Sequence, residues 1–290
     1  YCIISYPDGG CGNLESNIVA ITVNQVPVIS EYNELICSDN EFLVTPDNSN
    51  GDIVPNGTTY TWSTPTINPA GAITGAIEEL TPQNTISQNL INTTTNPATV
   101  TYTVTPTSGI CVGNDFLILV TVNPSISVSE TLTNSPCYQD NLGAIEIDIS
   151  GGVPFNTPEL YQISWTGPNG FTSNQEDIAN LEPGDYTVTI NDDGGCPFSE
   201  TYTITEPDEL ILESTDVYED ITCFGDDDGE IAITISGGTE PYSYSWTKDT
   251  VPYSNSEDIS NLPPGSYVLT ITDDNNCELI LNPYEIIEPP

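Results

Sequence analysis

Apolar and polar positions alternate with a period of two along most of the chain. Ile145, Ile147 and Ile149 alternate with Glu146, Asp148 and Ser150, and Ile231, Ile233 and Ile235 repeat that spacing. Tyr186-Thr187-Val188-Thr189-Ile190 and Tyr267-Val268-Leu269-Thr270-Ile271 follow the same rule. Such alternation buries one face of a strand and wets the other. It predicts further strands over residues 59–62, 99–104 and 115–122. Gly-Gly, Pro-Gly and Asp-Asp clusters separate the runs and read as turns. The prediction is an all-β protein: tandem immunoglobulin-like β-sandwich domains in an elongated string.

Two segments repeat one another. Cys137, then Gly143-Ala144-Ile145 through Ser150-Gly151-Gly152, matches Cys223, then Gly229-Glu230-Ile231 through Ser236-Gly237-Gly238. Ile163-Ser164-Trp165 matches Tyr244-Ser245-Trp246, and Glu176-Asp177-Ile178 matches Glu257-Asp258-Ile259. Leu181-Glu182-Pro183-Gly184-Asp185-Tyr186 matches Leu262-Pro263-Pro264-Gly265-Ser266-Tyr267, with Cys196 and Cys277 closing each unit. Trp to final Cys is the same distance in both, whereas the stretch from Gly-Gly to Trp is five residues longer in the first. That difference predicts a loop insertion between two strands. The domains expected are a closing hairpin of a truncated immunoglobulin-like domain at 1–25, a PKD-like or immunoglobulin-like sandwich at 26–124, and repeats at 125–207 and 208–290. The chain is expected to be an internal segment of a longer protein.

Eight cysteines and no histidine, with no CxxC pair, point to disulfides in an oxidising compartment. The unit boundaries suggest Cys37–Cys111, Cys137–Cys196 and Cys223–Cys277. Cys2 and Cys11 either bridge their own hairpin, or either has lost a partner with the missing part of its truncated domain. On this pairing, Cys223→Ser should destabilise the last unit far more than its neighbours.

Charge narrows function. There are 43 acidic residues against one basic residue, Lys248, for a net charge of −42. Such a surface repels nucleic acid and anionic lipid. One lysine supplies at most one salt bridge, so the carboxylates must face water, accept backbone N–H groups or meet cations. No apolar run reaches membrane-spanning length, so direct membrane insertion is not expected. Triad chemistry needs a histidine this sequence lacks, and the chain reads as no enzyme.

Taken together, the motifs of residues 125–290 resemble the repeat of the SprB-type gliding-motility adhesins of Bacteroidota. The motifs are Cys-x5-Gly, Ser-Gly-Gly, Ser-Trp, Glu-Asp-Ile, Leu-x-Pro-Gly-x-Tyr and Asp-Asp before Cys. Residues 28–124 resemble the PKD-like or immunoglobulin-like modules of such proteins. The resemblance implies export by the type IX secretion system and an extracellular, outer-membrane-attached filament. Its implied work is surface adhesion and gliding, with an external surface or polysaccharide and the secretion and gliding machinery as partners. The alternatives are a glycan-binding module and the stalk of a secreted enzyme.

Candidate sites are few. Asp226, Asp227 and Asp228, with Asp273 and Asp274, read either as solvated turns with no cofactor or as a structural Ca²⁺ site. Asp192-Asp193 and Asp140-Asn141 occupy comparable places in the first repeat. Trp62, Trp165 and Trp246 are predicted core residues beside a disulfide, and Tyr186 and Tyr267 predicted tyrosine corners. Asp249-Thr250-Val251 resembles the short O-glycosylation motif of Bacteroidota, which would place a glycan on Thr250. Asn56 and Asn92 begin Asn-linked sequons. Pro-bearing joints at Asn123-Pro124, Glu206-Pro207 and Glu288-Pro289 are expected to restrict bending between domains.

Overall fold

The computed structural model describes residues 25–49 and 51–290, and these form strands and turns with no α-helix. The expected hairpin over 1–25, with Cys2 and Cys11, lies outside the described residues, Gln25 excepted. The chain divides after Pro124 into two compact units.

The first unit contains β1 (Tyr32–Cys37), β2 (Asn40–Val44), β3 (Thr58–Trp62), β4 (Thr66–Asn68) and β5 (Ile73–Thr74). It continues with β6 (Glu79–Gln83), β7 (Ile86–Asn92), β8 (Ala98–Ser108), β9 (Cys111–Val112) and β10 (Phe116–Asn123). One sheet runs β1-β10-β8-β3-β6, with β4 and β9 also on β8, and the facing sheet runs β2-β7-β5. β1 lies parallel to β10, whereas the other pairs are antiparallel. Residues 98–108 alternate buried and part-exposed because their Val, Tyr and Thr suit a half-buried pleat. Phe42, Trp62, Tyr102, Ile118 and Val120 meet in the core between the sheets. Burying aromatic bodies strands their polar ends. Here Trp62 Nε1 donates to the Ile77 carbonyl (3.0 Å) and Tyr102 Oη to Gln88 Oε1 (2.8 Å), and Gln88 in turn donates to Ile77 (2.8 Å).

The second unit holds two sandwiches built alike. The first has β11 (Ile126–Thr133), β12 (Gly143–Gly151), β13 (Gln162–Thr166), β14 (Thr172–Ser173), β15 (Ile178–Leu181), β16 (Gly184–Asn191) and β17 (Phe198–Ile204). Its sheets run β11-β12-β15 and β14-β13-β16-β17. The second has β18 (Ile211–Glu219), β19 (Gly229–Ser236), β20 (Ser243–Lys248), β21 (Val251–Ser254), β22 (Ile259–Leu262), β23 (Gly265–Thr272), β24 (Glu278–Ile280) and β25 (Tyr284–Ile286). Its sheets run β18-β19-β22 and β21-β20-β23, where β24 and β25 share the edge that β17 fills alone in the first repeat. The extra residues of the first repeat fall between β12 and β13, as the spacing predicts.

Each repeat has its own core. Trp165 packs with Ile145, Ile178, Tyr186 and Val188, and Trp246 with Ile231, Ile259, Tyr267 and Leu269. The cores are separate, but the joint between the repeats is not a bare linker, because a disulfide joins Cys137 to Cys277 across it.

Candidate functional site: the poles of the repeats and their junction

Each repeat has an entry pole and an exit pole, and short polar motifs build them. At the entry pole the chain lies against the Gly-Gly turn: Gly152 N–H donates to the Ser125 carbonyl (3.1 Å) and Gly238 N–H to that of Asp208 (2.8 Å). Both glycines have positive φ, and a Cβ would meet the Oδ2 of Asp192 (2.6 Å) or Asp273 (2.9 Å). The space is needed because those carboxylates are buried turn acceptors. Asp192 accepts from the N–H groups of Val153 (2.7 Å) and Cys196 (3.0 Å). Asp273 accepts from those of Thr239 (2.8 Å), Asn275 (2.9 Å) and Cys277 (2.8 Å). A buried carboxylate is tolerable when backbone donors surround it.

At the exit pole the corner before the first cysteine is tied to the departing chain. Ser135 N–H donates to the Thr205 carbonyl (3.0 Å), and Thr205 N–H donates back to Asn134 Oδ1 (3.0 Å). In the second repeat Ile221 donates to Ile287 (3.2 Å), and Ile287 to Asp220 Oδ1 (2.9 Å). The first cysteine of each repeat therefore sits at the exit pole and the second at the entry pole.

This polarity overturns the expected pairings. Cys137 and Cys196 lie at opposite ends of β16, and Cys223 and Cys277 at opposite ends of β23, about 20 Å apart at ~3.3 Å per residue. A disulfide needs Cα atoms within about 7 Å. Cys137 instead meets Cys277 of the following repeat, with a Cα separation of 5.7 Å. Cys196 and Cys37 are also disulfide-bonded, and Cys223 is a free, exposed thiol. Cys37–Cys111 fails for the same reason: Cys37 pairs beside Asn123 at the Ala98 end of β8, and Cys111 pairs with Ser108 at the other end. Ala98 and Ser108 are roughly 30 Å apart along an extended strand.

The acidic clusters do not form one site. Asp226, Asp227 and Asp228 are exposed at the exit pole, and Asp273 and Asp274 are at the entry pole. Asp228 accepts from the Thr222 hydroxyl (2.5 Å) and N–H (2.9 Å), which hold its carboxyl below the usual range. Among the described residues no three acidic or sulfur groups converge as metal ligands. A shallow groove on the first repeat is lined by Glu130, Glu146, Asp148, Glu176 and Asp177. Asp177 already accepts the Ile147 N–H (3.0 Å), and Asp258 accepts that of Ile233 (3.0 Å). That is the work of the repeated Glu-Asp-Ile motif, whose role sequence reading missed.

The tryptophans are core residues. Trp62, Trp165 and Trp246 are buried, and the last two donate from Nε1 to the carbonyls of Gln175 and Ser256 (3.0 Å each). The Cys137–Cys277 bridge lies at the junction and not beside Trp165 or Trp246, contrary to expectation. Both tyrosine corners are present: Tyr186 Oη donates to the Glu182 carbonyl (2.9 Å) and Tyr267 Oη to that of Pro263 (2.8 Å). Thr250 is exposed at the tip of the β20–β21 hairpin. Asn56 is exposed, whereas Asn92 is buried and donates to the Asn96 and Val122 carbonyls (2.8 Å each), so its amide is not available to carry a sugar. Lys248 lies 3.5 Å from Asp249 in the only salt bridge among the described residues. No helix among them is long and apolar enough to cross a membrane.

Residues 34–126 match the PKD-like domain, and residues 215–251 match the SprB repeat. Over 67 residues the chain is 33% identical to the decoration protein of Escherichia phage T5, covering 18% of this chain and 41% of that protein. Among solved structures, titin domains I67–I69 align over 92% of this chain and 100% of theirs, at 14% identity and a TM-score of 0.38. The eight N-terminal immunoglobulin domains of Down Syndrome Cell Adhesion Molecule align over 92% of this chain and 37% of theirs, at 13% identity and a TM-score of 0.47. The chain thus spans well under two thirds of the phage protein and of the cell-adhesion structure. It carries, in order, a PKD-like domain and a SprB repeat.

Proposed function

We propose that this chain is a non-catalytic stalk segment of an extracellular adhesin, part of a cell-surface filament used in adhesion and gliding. The observation that carries the reading is the junction between the repeats, where one sandwich is covalently tied to the next at Cys137–Cys277. A catalytic or sugar-binding module concentrates reactive or aromatic groups in a cleft. Here the acidic side chains at the poles are turn acceptors or lie in water, and all three tryptophans are buried. Like charge along the surface opposes self-association, and short joints with a covalent tie favour extension over collapse. Export through type IX secretion and attachment at the outer membrane belong to the same proposal.

Small-angle X-ray scattering of the full chain, with calcium and then with chelator, tests the reading. An elongated particle in both solutions is expected. A compact particle in both would overturn it and favour a binding module. Elongation only with calcium would assign stiffening to ions at the acidic turns.

A further inference from the structure

Cys137 and Cys223 occupy the same corner of the two repeats. Asp140 N–H donates to the Cys137 carbonyl (3.3 Å) and Asp226 N–H to that of Cys223 (3.1 Å). One residue earlier in each corner, Gln139 and Gly225 donate to the carboxylates of Glu206 and Glu288 (2.5 Å each). In the first repeat this corner is occupied. Cys137 is bonded to Cys277, the Asn275 amide donates to the Pro136 carbonyl (2.9 Å), and Tyr138 lines the crevice between the repeats. In the second repeat the same corner is open. Cys223 is an exposed thiol, and Phe224 is 76% exposed where its counterpart Tyr138 is 41% exposed. Cys196, at the position of Cys277 in the first repeat, is likewise disulfide-bonded and not to Cys137 of its own repeat.

We propose that Cys223 and Phe224 form the receiving half of a second junction, which takes the entry pole of another repeat of this fold through a disulfide to the cysteine at the Cys277 position. Two observations carry it: the matching corner is bonded in this way one repeat earlier, and an aromatic side chain stands uncovered beside the thiol. Bond formation joins two thiols with loss of two protons and two electrons. A disulfide oxidant such as oxidised glutathione accepts them and leaves as two thiols. The inference rests on the geometry of the repeats and does not require the adhesin reading.

The test extends the full chain at Pro290 with a second copy of residues 208–290, refolded in a glutathione redox buffer. Cys223 should lose its reactivity towards iodoacetamide, and a non-reducing digest should give its peptide linked to Cys277 of the added copy. Cys223 that stays fully alkylated beside a folded copy, or a copy whose Cys277 bonds its own Cys223, would overturn the proposal. A variant of the unextended chain guards against misfolding of the addition. In Cys137→Ser, Cys277 should remain a thiol, because Cys223 is at the far pole. A Cys223–Cys277 bond in that variant would show that a repeat can close on itself, and would sink the idea.

Discussion

The Cα atoms of Cys137 and Cys277 lie 5.7 Å apart, although 140 residues separate them in the sequence. Closing a loop of that length stabilises the folded chain by roughly 5 kcal/mol in the chain-entropy treatment. Cys277→Ser should therefore lower stability by up to that amount and let the two repeats melt at different temperatures in calorimetry. Cys223→Ser should change stability by less than about 0.5 kcal/mol, since an exposed thiol with no bridge is lost. That reverses the expectation from sequence spacing.

The tyrosine corners make a second prediction. Tyr186→Phe or Tyr267→Phe removes one hydroxyl donor and leaves a carbonyl short of a partner. Each should cost about 1 kcal/mol in urea unfolding of its own repeat. Trp246→Ala, which opens a cavity in the second core, should cost about 3–5 kcal/mol. Equal costs for the tyrosine and tryptophan changes would contradict the packing described.

Asp273 separates the two readings of the acidic turns. Asp273→Ala strands three N–H groups, at about 1–3 kcal/mol for each one left buried without a partner. The loss should be the same in calcium and in chelator. If chelator alone reproduced it in the unmutated chain, the carboxylate would be serving a cation instead.

Much of this was legible in the sequence. The alternation of Ile145, Ile147 and Ile149 marks β12, and equal Trp-to-Cys spacing marks a shared fold. The disulfide partners were not legible, because spacing reports chain length and not which pole a cysteine occupies. A signal existed: five strands, β12 to β16, lie between Cys137 and Cys196, and an odd number of crossings ends at the opposite pole. Asp192 and Asp273 misled for a related reason. Paired acids beside Gly and Asn look solvated, and only the fold reveals the backbone donors aimed at them.

Alkaline pH should weaken the fold as it approaches the range in which the buried phenols ionise. Burial pushes the Tyr60 hydroxyl up to about 12, and burial with the nearby Glu200 carboxylate does the same for Tyr202. The folded values lie above the unfolded value near 10, so the unfolded state loses these protons first. Their contribution is complete below about pH 10 and is lost as pH rises through about 12. Urea titrations followed by circular dichroism should show the stability of each unit falling as pH rises from about 10 to about 12. Stability unchanged across that range would refute this.

The bridge at the junction also decides where tension travels. A pull between Ser125 and Pro290 passes along β11 to Cys137, crosses the sulfurs to Cys277 and leaves through β24 and β25. Residues 138–276, which include most of both cores, lie off that path. Even with every hydrogen bond on the path broken, the unit would lengthen to roughly 90 Å, where the unbridged chain would reach roughly 560 Å. Under load the second unit is thus a short tether with two domains hung beside it, and its strength is that of one covalent bond.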